Sequence, residues 1–158
     1  MKFPVSLLIA ASLATPLALV AADQHDHGAA AESAITLNAG KKWATDVPLR
    51  QSMATLRTAV ATTLPKAHAG KATPADYDAL GKTANAQVAY IVQNCKLDAK
   101  ADEQLHTVIA GILHGAEIAE GKQAGTDRAE GVVQIAQGLN TYGKYFKHTG
   151  WKVIPLPH

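Results

Sequence analysis

Four stretches of this chain carry apolar residues every three or four positions, and each opens on a residue that caps helices. Asp46 precedes Val47-Pro48, an N-cap followed by proline in the first turn. Leu49, Met53, Leu56, Val60 and Leu64 then fall on one helical face, and Pro65 is expected to stop the helix, with a loop over 66–71. Thr73-Pro74 opens a second helix whose stripe is Tyr77, Leu80, Ala84, Val88, Ile91 and Cys95. Asp98 caps a third, lined by Leu105, Val108, Ile109, Ile112, Leu113, Ala116 and Ala119, with Gly121 at its C-terminal end. Thr126-Asp127 opens a fourth, with Val132, Ile135, Leu139, Tyr142 and Phe146 inward and Gly150 just beyond its end. No strand-like alternation and no internal repeat interrupts this pattern. Short connections make successive helices antiparallel. The predicted fold is all-α, an antiparallel up-down-up-down four-helix bundle over residues 37–158, with helices of about 18–24 residues, roughly 27–36 Å each. Gly81, Gly111, Gly131, Gly138 and Gly143 lie inside helices, where each either costs up to about 1 kcal/mol against alanine or lets two helices approach closely.

The N-terminus reads as an address. Met1-Lys2 is followed by an apolar run from Phe3 to Val20, broken by Pro4 and Pro16, ending in the small residues Ala21-Ala22. This is the pattern of a secretory signal peptide over residues 1–22, with cleavage after Ala22. The expected mature protein is exported, bacterial in style and periplasmic, with no stable membrane span once the signal is removed. A low-complexity tail over 23–36, beginning DQHDHGAAAES, links the signal to the bundle.

Composition narrows the partners. The 158 residues are 47% apolar and 18% charged, outside the range of disordered chains. A formal charge of +2, without a basic patch interleaved with aromatics, argues against nucleic acid. A metal ion or a periplasmic protein is the expected partner. The single cysteine has no partner for an intrachain disulfide. In an oxidising compartment Cys95 is a free thiol, a buried core residue, half of an intermolecular bridge, or a metal ligand.

Up-down-up-down topology puts the start of helix one, the end of helix two, the start of helix three and the end of helix four at one pole. Met53, Cys95, His106 and His148 therefore share that pole with Trp43, Trp151 and the root of the His-containing tail. Thioether and thiolate suit Cu(I), and imidazole suits several transition metals. At about 100° per residue, Met53 and Cys95 face one another in the core, His106 falls at the boundary and His148 on the solvent side. The plain alternatives are a methionine filling a gap, a cysteine acting as a small hydrophobe, and a His148 that favours the negative end of its helix. His114 reads as surface, and His68 and His158 as loop or terminal residues.

Cleavage after Ala22 would begin the mature chain Asp23-Gln24-His25. An amine, two backbone amides and a third-position imidazole make a square-planar nitrogen set suited to Cu(II) or Ni(II), with His27 adding a nearby imidazole. Asp23, His25 and His27 are thus a second candidate metal site, pH-dependent because the amides must deprotonate.

The segments LNAGKKWATD at 37–46 with PLRQ at 48–51, NCKL at 94–97 and YFKHTGW at 145–151 resemble a poorly characterised family of small exported proteobacterial proteins, some labelled DnrO-like. That resemblance implies a helical periplasmic protein tied to metal or redox stress. A looser one is to periplasmic b-type cytochrome four-helix bundles, which hold haem between a Met early in helix one and a His late in helix four. Met53 and His148 are similar in placement, which implies non-covalent haem b as an alternative cofactor. The absence of C-x-x-C-H excludes covalent haem of the c type. No G-x-S-x-G, Walker loop, H-E-x-x-H or di-iron Glu-x-x-His pattern is present, so no enzyme is expected. The sequence points to a periplasmic copper-binding bundle for storage, buffering or delivery. The alternatives are a metal-free structural or stress-response interaction bundle and a haem-b electron carrier.

Overall fold

A computed structural model of the chain describes residues 35–156, and the expected signal peptide, Asp23, His25, His27 and His158 lie outside them. Four helices fill most of this range: α1 Val47–His68, α2 Pro74–Asn94, α3 Ala99–Ala119 and α4 Arg128–Tyr145. Each helix packs on its neighbours in the chain, and α1 closes the ring against α4. No helix among the described residues is long and apolar enough to cross a membrane.

The expected caps form. Asp46, Thr73, Asp98 and Asp127 each accept a backbone N–H of the helix they precede. Thr73 and Asp76 complete a capping box at α2. The end of α3 is a Schellman motif: Gly121, at φ +74°, donates to Ile118 and Lys122 donates to Glu117. At this pole Arg128 donates from Nε to the carbonyl of Ala119 (2.6 Å), pairs with Asp78 and lies over the Tyr77 ring. One guanidinium thus joins the start of α2, the end of α3 and the start of α4.

The apolar stripes become the core. Leu49, Met53, Leu56, Val60, Leu80, Ala84, Leu105, Ile112, Ile135, Leu139, Tyr142 and Phe146 are all buried within it. The tightest seam is α3 against α4, and glycine makes it. A Cβ on Gly131 would lie 2.4 Å from the Ala119 nitrogen and 2.5 Å from the Gly115 oxygen; one on Gly115 would lie 2.9 Å from the Gly131 oxygen. The two backbones touch where a side chain would hold them apart. Gly138 packs on Ile112, Gly81 on Glu120 and Gly143 on Trp151, whereas a Cβ on Gly111 would meet only the Gln134 amide nitrogen at an ordinary 3.9 Å.

Two helix ends differ from expectation. Pro65 does not stop α1, which runs on to His68. Proline removes one hydrogen bond to the carbonyl four residues back. That carbonyl belongs to Ala61, an exposed residue that water reaches, and the extra turn buries Ala67. Helix α4 stops earlier than expected, at Tyr145, because its last turn is claimed by another segment. Trp43 donates to the carbonyl of Tyr145 (2.9 Å) and accepts from the nitrogen of Lys147 (2.8 Å). This pairing pulls Phe146 into an extended conformation, with φ −113° and ψ 142°. The chain beyond it turns back at Gly150 and runs along the bundle, held by Arg57 Nε to the Lys152 carbonyl (2.8 Å) and by Asn140 to both polar backbone atoms of Ile154.

Candidate functional site

The pole with the expected ligands is built around Asp46. Its Oδ1 accepts from the Leu49 nitrogen (2.9 Å), capping α1, and its Oδ2 accepts from the Lys96 nitrogen (2.6 Å) just past α2. The Cys95 thiol donates to Oδ1 at 3.4 Å. One carboxylate therefore joins the start of α1 to the end of α2. Burial opposes its charge, but these hydrogen bonds and nearby Arg50 hold its pKa below the usual carboxylate value.

Met53 lies inside the core and Cys95 packs at its edge. Met53 is fully buried, whereas Cys95 is the C-cap of α2, half-buried, with its thiol turned towards Asp46. Cys95 keeps a helical φ of −74° and its bond to the Ile91 carbonyl, but its extended ψ of 138° turns the chain away after it, so the stripe ends there. Burial, followed by the bond to Asp46 and the charges of Asp46 and Asp102, pushes the thiol up to about 12. It is a protonated thiol at neutral pH.

His148 is also not where a continuing helix would place it. Because α4 ends at Tyr145, His148 folds back, half-buried, with Nδ1 3.0 Å from the Tyr142 hydroxyl. Its ring meets Tyr142 edge-on and Trp151 at a tilt. Burial first, then Arg50, lowers its pKa, so the ring is neutral at pH 7. Burial likewise raises Tyr142, keeping the phenol protonated. His106 goes beyond the expected boundary to an exposed position, its Nδ1 2.9 Å from the Asp102 carbonyl. His68 and His114 are exposed.

The four expected ligands thus share a pole without forming one cluster. Among the described residues no three His, Cys, Asp or Glu side chains are grouped so as to hold a metal ion. Met53 and His148 line no common cavity among those described. What does gather is Asp46, Arg50, Cys95, Tyr142 and His148, linked by hydrogen bonds and by the charges they feel from one another. Beside them is a cavity of about 460 Å³ lined by Ala44, Thr45, Arg50, Lys147, His148 and Thr149. Asp46 and Tyr142 read from the sequence as only a cap and a core residue. Their second role comes from contacts across the bundle, which carry no local signal.

The opposite end has an apolar cleft of about 370 Å³ between α1 and the C-terminal strap, with Ala61, Leu64, Pro65, Ile154 and Leu156 in its walls and Arg57 and His68 at its rim. A second cavity of about 370 Å³, between α1 and α4, shares Leu64 and His68 with it.

No family model, curated protein or solved structure matches the chain.

Proposed function

We propose that this chain is an exported, non-catalytic binding protein of the periplasm that takes up a transition metal, copper first, for storage, buffering or delivery. Membership of the DnrO-like group of exported proteins is part of the same reading. The observation that carries it is the setting of the single cysteine. Cys95 is half-buried rather than sealed in the core, and its sulfur lies beside a carboxylate at a helix end. Among the described residues the chain enters at this pole: Thr36 donates to Gln104 of α3, and its carbonyl accepts from Trp43. Thiolate is a soft donor that suits Cu(I). Asp23, His25 and His27 remain the proposed Cu(II) set. Met53 and His106 take no part, the first being enclosed and the second turned to solvent.

The test is native mass spectrometry of untagged protein from the host periplasm, followed by Cu(I) titration against a chromophoric chelator. The expected result is a mature chain starting at Asp23 and one Cu(I) per chain. Cys95→Ser should lose that copper with helicity intact, and the double variant His25→Ala, His27→Ala should lose Cu(II) while leaving Cu(I) binding unchanged. A chain that stays bare under excess Cu(I) overturns the reading.

A second reading, a metal-free interaction bundle in a stress response, is favoured by the apolar cleft beside Leu64 and Ile154. It predicts that an apolar fluorescent probe binds there and that Ala61→Phe abolishes binding. Probe binding that Ala61→Phe leaves unchanged counts against it.

A further inference from the structure

We propose that the cavity between the start of α1 and the segment after α4 is a binding site for an oxyanion group, a phosphate or a carboxylate, held by Arg50, Lys147 and His148. The site is distinct from the copper reading and does not depend on it.

Three features of the pole support this. First, Arg50 is fixed and only partly offset. Its Nη1 donates to the Thr45 carbonyl (2.6 Å) and hydroxyl (3.1 Å), which orients the guanidinium. Asp46 feels its charge, but among the described residues no carboxylate pairs with it within 4.0 Å, and Asp46 takes its hydrogen bonds from Leu49, Lys96 and Cys95. Its remaining N–H groups make no other hydrogen bond to protein among the described residues. A guanidinium with a free edge is the group that recognises planar or tetrahedral oxyanions in a bidentate way.

Second, a cation and a donor converge on the same cavity. Lys147 carries an ammonium without a carboxylate partner among the described residues, and it lines the wall beside His148. The Tyr142 phenol is buried with His148 Nδ1 as its only hydrogen-bond partner, so we assign it as the donor. That assignment puts the imidazole proton on Nε2, leaving a neutral ring with an N–H to offer. The hydroxyl of Thr149 is on the rim.

Third, the walls are tied to each other. The Thr45 hydroxyl donates to the Lys147 carbonyl (2.6 Å), and Lys147 donates its own nitrogen to Trp43 (2.8 Å). The Arg50 guanidinium and the Lys147 backbone are therefore held in place before any ligand arrives, which reduces the ordering cost of binding. The cavity of about 460 Å³ has room for an oxyanion group free or carried on a small organic molecule.

The test is an amide NMR titration of the full mature chain at low salt and pH 7 with inorganic phosphate, with acetate, and with chloride as control. Saturable shifts confined to residues 44–50 and 147–149 are expected for at least one of phosphate and acetate. Phosphate binding tighter identifies a phosphorylated ligand, and acetate binding at least as tightly a carboxylate. Lys147→Gln, on an exposed side chain, should weaken binding by about tenfold. Arg50→Gln should abolish it, and Arg50→Lys, which keeps the charge but loses the fork, should fall between. Shifts spread over surface lysines, or binding that Arg50→Gln and Lys147→Gln leave unchanged, would overturn the proposal.

Discussion

The acidity of Cys95 makes a quantitative claim. Its thiol is raised from about 9 to about 12, with burial as the largest cause and the Asp46 acceptor next. The thiolate is the nucleophile, so alkylation follows the ionised fraction. At pH 8 a shift of three units lowers that fraction by about a thousandfold relative to an unperturbed thiol. The assay is the rate of iodoacetamide labelling of the folded chain, read by mass spectrometry, against the same chain in urea. The folded rate should be lower by about three orders of magnitude and should climb with pH beyond 9, where the unfolded rate levels off. Asp46→Asn keeps a good N-cap while removing the charge. It should restore part of the reactivity and no more, since burial remains. Folded and unfolded rates within tenfold of one another at pH 8 would refute the argument. The same shift bears on stability. A folded value above the unfolded one stabilises fully below pH 9, and the contribution is lost as pH rises towards 12. If copper binds Cys95 as proposed, it must displace this proton, so Cu(I) uptake should release a proton and strengthen with pH.

Three further outcomes follow from the packing. Gly131→Ala forces a methyl between two backbones and should cost about 1–3 kcal/mol or more, while Gly111→Ala, in an open helical position, should stabilise by about 0.5–1 kcal/mol; urea melts of the pair decide it. His148 is held below its ordinary pKa, so its contribution is present above pH 6.5 and is lost as pH falls through the lower folded value. Thermal melts between pH 7.5 and 5 should show that loss, reduced in His148→Gln. Met53→Leu should cost under about 1.5 kcal/mol and leave Cu(I) affinity unchanged, since the thioether is sealed in the core; a drop in affinity would return Met53 to the metal site.

The parts of this fold that were legible in the sequence are those with local causes. The stripe Leu49, Met53, Leu56, Val60, Leu64 and the caps at Asp46, Thr73, Asp98 and Asp127 depend on residues a turn or less apart. Where the reading departed from the structure, the cause lies further away in the chain. The end of α4, and with it the direction of His148, is set by Trp43, about a hundred positions earlier. Cys95 looks inward on a helical projection, yet it sits at the residue where the helix gives way to an extended cap. Pro65 carries a strong stop signal that a solvent-reached carbonyl at Ala61 and the burial of Ala67 outweigh. Arg50 is cationic in any reading, but that its nearest carboxylate is engaged elsewhere is visible only once Lys96 and Cys95 are in place.

The glycine contact between α3 and α4 divides the bundle mechanically. Where Gly115 and Gly131 bring two backbones together, the close contact leaves no gap to open, so this pair is expected to separate last. The α1–α4 seam has no such lock and borders both apolar cavities. Thermal opening of the core should then resemble a door hinged on the glycine side and swinging at α1, with the C-terminal strap through Ile154 as its latch.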